Sequence, residues 1–151
     1  MVKRYILPIL AYLVPTFALG FVWHLVLFEG YYAALGIYRS DIIVPFGFVA
    51  ILVQGSIFAW LYDKAFAQAS GSWLARGLAF AAVGGLLSWT FTTLAVAAKN
   101  VMTSVPDYLL IETAFTAVQW IMVGPLTALA FAAARAPSGP GAASMQAREA
   151  A

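Results

Sequence analysis

The sequence predicts an all-α integral membrane protein, a four-helix up-down bundle with both termini in the cytoplasm. Three observations predict it. Hydrophobic residues make up 64% of the 151-residue chain and charged residues only 9%, with a mean hydropathy of +0.90. A soluble domain carries roughly 25% charged and about 45–50% apolar residues, and a disordered chain needs low hydrophobicity with high charge. Four apolar runs fill most of the chain, each near the roughly 20 residues that carry a helix across about 30 Å of hydrocarbon. Finally, Lys and Arg are shared unevenly between the ends of those runs.

The runs are continuous rather than alternating with period two, so helices and not barrel strands satisfy the backbone in lipid. The first span, residues 5–28, follows Lys3 and Arg4 and passes Ala18-Leu19-Gly20, which resembles a signal-peptide cleavage site. Its apolar run continues through Phe21-Val22-Trp23 with no polar cleavage region, so it reads as an uncleaved span. The second, residues 42–62, opens near Pro45, where a missing N–H costs little because first-turn N–H groups lack helical partners. The third, residues 73–98, carries Arg76 near its start, and the fourth, residues 109–134, carries Glu112 near its start. Pro15 and Pro125 lie deeper and are expected to bend their helices or free a carbonyl. The connections 29–41, 63–72 and 99–108 leave no room for a soluble domain and make sequential helices antiparallel neighbours. Residues 136–151, rich in Pro, Gly and small residues, read as a disordered cytoplasmic tail.

Orientation follows from the cations. Lys3, Arg4, Lys64, Arg76, Arg135 and Arg148 fall on one side, against Arg39 and Lys99 on the other, and the richer side is cytoplasmic. Tyr5, Tyr31, Tyr32, Tyr38, Tyr62, Trp73 and Tyr108 lie near span ends, where aromatic belts form. The lipid bilayer is thus the first partner. Net charge is only +2 and no basic cluster exceeds Lys3-Arg4, so no nucleic-acid partner is expected. The absence of cysteine excludes disulfides, iron–sulfur clusters and a thiol nucleophile, and His24 as the single histidine excludes a multi-histidine metal site. No metal or cofactor is expected.

Helices associate in lipid through small interfacial residues. Gly77, Ala81, Gly85 and Ser88 form such a stripe in the third span, and Gly124, Ala128 and Ala132 repeat at intervals of four in the fourth. They serve bundle packing or, alternatively, a homo-oligomer or a larger membrane complex. The polar residues inside the spans form two layers. Near the outer end, His24 and Glu112, with Thr92 and Thr116, make a candidate proton-sensitive or ligand-binding pocket, closed by Glu29, Arg39, Asp41 and Asp107. Near mid-membrane, Thr16, Gln54, Ser88 and Gln119 supply one polar group per helix. An unpaired amide in hydrocarbon costs several kcal/mol, so these groups are expected to face inward and bond one another. No G-x-S-x-G, H-E-x-x-H or P-loop occurs, so no catalytic residues are assigned and no enzyme is expected.

The segment Phe21–Tyr32, with a histidine closing the first span before a tyrosine pair, precedes a glycine-spaced third span and a fourth span with Trp120 and Gly124. Over about residues 5–134 this resembles small four-span bacterial integral membrane proteins of unknown function. The resemblance implies a place in the bacterial cytoplasmic (inner) membrane and no activity. The residues suggest three roles: a non-enzymatic membrane protein binding a small ligand or partner at the outer pocket; a small transporter or proton-coupled channel subunit titrating His24 and Glu112; or an assembly subunit of a larger complex.

Overall fold

The computed structural model describes residues 3–135; the expected tail at 136–151 lies outside them. Helix α1 (Lys3–Val22) runs on into a wider π-helical turn at Trp23–Leu27. A short α2 (Glu29–Leu35) follows, ended by Gly36, whose φ of 71° suits the residue without a Cβ. Helix α3 (Val44–Leu61) also ends in a π turn, Tyr62–Phe66. Ser72 starts α4 (Trp73–Ser88), its Oγ accepting the Ala75 N–H, as an N-cap should. A third π turn, Trp89–Leu94, and the short α5 (Ala95–Ala97) extend α4. The last helix is α6 (Val105–Arg135), 31 residues long. Among the described residues the chain is all-helical, and four of its helices are long and apolar enough to cross a membrane.

Two local expectations are corrected. The last helix begins at Val105, because Pro106 suits a first turn and Ser104 Oγ accepts the Asp107 N–H; Glu112 therefore lies seven residues inside it. Residues 29–41 are not a plain connection but contain α2. Pro8, Pro15 and Pro125 lie inside continuous helices, and π turns, each with one residue more per hydrogen-bonded ring, follow α1, α3 and α4.

Helix α6 is the centre of the bundle. It packs against α1 on one side and α4 on the other, while α3 leans on α1. Arg4, Asp63 and Arg135 meet at one end, and Tyr32 meets Glu112 at the other. The start of α1 thus lies beside the ends of α3 and α6, and the directions alternate. The larger core is aromatic: Tyr12, Phe58, Tyr62, Phe80 and Phe131 are buried around Trp120. Phe58 meets the Trp120 ring edge-on at 4.9 Å, and Trp120 Nε1 donates to Ser88 Oγ at 3.1 Å.

The α4–α6 seam is close. A Cβ on Gly77 would lie 2.8 Å from Pro125 Cα, and one on Gly124 would lie 2.6 Å from Ala81 Cβ, so the two backbones touch as small-residue packing allows. Ala81 and Ala128 are buried in this seam. Ala132 is not: it is exposed, and Phe131 is buried instead. A four-residue repeat advances 400° on a 100° helix and drifts about 40° per step, so the stripe leaves the seam by its third member. A Cβ on Gly85 would stand 3.3 Å from Trp120 Cβ, a tight contact, whereas a Cβ on Gly84 would overlap the indole ring.

Candidate functional site

At the α2 end of the bundle, the π turn that follows α1 and the first turns of α6 bring His24 and Glu112 together. The His24 Nδ1 lies 3.9 Å from Glu112 Oε1, with the two side chains 20% and 10% exposed. The Tyr32 hydroxyl donates to Glu112 Oε1 at 2.7 Å, and the Tyr38 hydroxyl lies 2.7 Å from His24 Nδ1. Tyr38 also stacks on Tyr32 at 5.0 Å, and the imidazole packs against Phe115 at 4.5 Å. The result is a row of four hydrogen-bonding side chains, Tyr38, His24, Glu112 and Tyr32, set among aromatic rings.

The row depends on α2. Tyr32 and Leu35 point into a second core with Tyr108 and Ile111. The short helix is clipped to the connection before α6, where Thr103 donates from its N–H to the Leu35 carbonyl at 3.1 Å and from its hydroxyl to the Ala34 carbonyl at 2.9 Å. Burial, and then the neighbouring charge of Glu112, pushes the Tyr32 phenol above its ordinary range, so this hydroxyl is a donor at every physiological pH.

The expected companions divide. Thr116 is buried one turn below Glu112 on the same face. Thr92 is exposed, and its hydroxyl donates to its own helix at the Ser88 carbonyl. Thr93 takes the inner position, fully buried, because the π turn at Trp89–Leu94 shifts the face by one residue. Closure comes from Tyr32 and Tyr38 rather than from the four loop charges: Glu29 and Asp107 are exposed, and Arg39 and Asp41 are exposed and paired with each other at 2.9 and 3.0 Å.

The mid-bundle layer is not one network. Thr16 and Gln119 are buried and Ser88 is held by Trp120, but Gln54 is on the outside, reached by the Tyr12 hydroxyl at 3.5 Å. Thr16 Oγ1 has no hydrogen-bond partner among the described residues. The reason is the position of α3, which leans on the bundle from one side and buries only Gly55, Phe58 and Ala59 of its α-helical length.

Beside the row lies a cavity of about 520 Å³ between α1 and the first half of α3, bounded by His24, Tyr38 and Arg39 at one end and Phe17 and Ile51 at the other. Sequence reasoning also missed a second polar cluster at the opposite end. Asp63, 5% exposed, accepts from Arg4 at 2.6 Å, from Tyr5 at 2.7 Å and from Arg135 at 2.8 Å. Its signal was available, since one carboxylate ends the second span on the side where arginines start the first and end the fourth. Among the described residues no group of three or more His, Asp or Glu side chains is placed to hold a metal ion. Chemically, the His24 row can donate and accept hydrogen bonds, and it holds an imidazole and a carboxyl group 3.9 Å apart. Neither known protein families, nor curated proteins, nor solved structures match this chain.

Proposed function

We propose that this chain is a multi-pass protein of the bacterial cytoplasmic membrane that binds a small ligand, without transforming it, at the polar site built on His24 and Glu112. The observation that carries this reading is the pairing itself: an imidazole and a carboxylate 3.9 Å apart, nearly buried, with an open cavity against the imidazole. Ionisable residues within apolar spans are costly to insert and mark functional sites by default. The uneven distribution of Lys and Arg supports cytoplasmic termini, which places the His24 site toward the outer leaflet. In the absence of a nucleophile arrangement, hydrogen bonding to the ligand is the chemistry this site offers.

Native mass spectrometry of the protein extracted in a mild detergent tests the reading. A reproducible extra mass on the wild type is expected, lost in His24→Ala and in Glu112→Gln while helix content is unchanged. A bare chain in every variant overturns it, and a stoichiometric second protein in place of a ligand moves the assignment to an assembly role. A proton-coupled transport role draws on the same pair, but the path expected through Gln54 lacks that residue, which sits on the outer face.

A further inference from the structure

Helix α3 is thinly covered over its first half, where Phe48 meets Phe17 of α1 edge-on at 5.7 Å. Every residue from Asp41 to Ala50 is exposed, and the gap this leaves against α1 is the cavity of about 520 Å³, within the range of about 300–1,000 Å³ common for small-molecule sites. Its walls are Phe17, Gly20 and Phe21 on α1 and Gly47 and Ile51 on α3, with Ile43 just before α3. The two glycines differ from those of the α4–α6 seam. A Cβ on Gly77, Gly84 or Gly124 would strike a neighbouring helix, while a Cβ on Gly20 or Gly47 would meet nothing within 4 Å. Glycine is the poorest helix former after proline, and no contact within the protein requires it at either position. Both glycines line the cavity, where the missing side chains leave space.

We infer that this cavity holds the hydrocarbon chain of a single-chain amphiphile whose uncharged, hydrogen-bonding head lies at Tyr38 and His24. The inference rests on the ligand-binding reading above and names the ligand's chemistry. The length suits part of a lipid chain: Phe17 to His24 spans seven residues, roughly 10 Å along a helix. The head's character follows from the groups at the Tyr38 end. A phenol hydroxyl and an imidazole are neutral hydrogen-bonding partners. The nearby cation, Arg39, is neutralised by its two-pronged pairing with Asp41, and the Glu112 carboxyl stands behind the imidazole, so an anionic head meets no net positive charge. A cationic head gains little, because Glu112 does not line the cavity and its Oε1 is occupied by Tyr32. Hydroxyl and ester-carbonyl heads remain.

The test uses the whole chain in phosphatidylcholine nanodiscs with a monoacylglycerol carrying a diazirine on its chain. After photolysis the adducts are expected within residues 17–25 and 42–51. Gly47→Leu and Gly20→Leu each put a side chain where a Cβ meets no protein atom within 4 Å, and each should cut labelling about tenfold or more with an unchanged circular dichroism melt. Val83→Leu, on the exposed face of α4, should leave labelling intact. Unlabelled monoacylglycerol should compete, and a fatty acid or an alkylammonium of equal chain length should not. Labelling spread over all four helices, or unchanged in both glycine variants, overturns the proposal. Competition by either charged amphiphile overturns the assignment of the head. A native mass lost in His24→Ala but kept in Gly47→Leu removes the cavity proposal and leaves the ligand-binding reading standing; no bound mass on the wild type removes both.

Discussion

At the scale of single residues, the two adjacent glycines of α4 behave as opposites. Gly84 lies under the Trp120 ring, which is itself fixed by Phe58, Phe80 and the Ser88 hydroxyl, so the ring cannot move aside. Gly84→Ala should destabilise the protein by about 1–3 kcal/mol through overpacking, read as a lower thermal midpoint in detergent. Gly85→Ala should do much less, since its Cβ would stand 3.3 Å from the indole side chain. Gly20→Ala, in open space, should be neutral or stabilise by up to about 1 kcal/mol through helix propensity. The small-residue stripe was legible in the sequence, but which of two neighbouring glycines carries the contact was not. The same holds for Thr92 and Thr93, because a π turn moves the inward face by one position and leaves no mark in composition.

At the scale of elements, the bundle is fastened differently at its two ends. At the α2 end the fastening is a short helix clipped over two hydrogen-bonded pairs, Tyr32–Glu112 and Tyr38–His24, and at the other it is Asp63 shared by Arg4, Tyr5 and Arg135 from α1 and α6. Arg4 and Arg135 are partly exposed, at 44% and 37%, while Asp63 is not. Exposed arginines regain water when their partner is lost, so the carboxylate is the joint of the cluster. Asp63→Ala should lower the thermal midpoint more than Arg4→Ala or Arg135→Ala, and adding Arg4→Ala to Asp63→Ala should cost nothing further. Full additivity in that double-mutant cycle would show that the three side chains do not act together. Periodicity located the long helices, yet it missed α2, whose seven residues read as a connection because they are held by Tyr108, Ile111 and Thr103 from distant parts of the chain.

At the scale of the whole molecule, the charge count predicts which end faces the cytoplasm. Cysteine at Ser40, in the connection after α2, should label from outside intact cells with a membrane-impermeant maleimide. Cysteine at Ser70, between α3 and α4, should label only after the cells are opened. Both positions are exposed, so access and not burial decides the result, and an inverted pattern would turn the His24 site toward the cytoplasm. The molecule is also lopsided. Helix α6 is buried by neighbours on two sides while α3 is held on one, which is why a polar group in α6 such as Gln119 ends inside and Gln54 in α3 ends outside.

The helical class and the four long apolar helices followed from the sequence by itself, because hydrophobic run length and the absence of period two are local properties that the backbone's need for internal hydrogen bonds converts directly into helices. The meeting of His24 with Glu112 could be anticipated in the same way, since both lie near the same end of antiparallel spans. Tyr32 and Tyr38 as its partners, Asp63 as the opposite joint, the exclusion of Gln54 and Ala132, and the open space beside Gly20 and Gly47 were decided only in three dimensions. Each depends on which helices are neighbours and on how far each is rotated about its axis, and a uniformly apolar helix carries almost no record of its own rotation in its sequence.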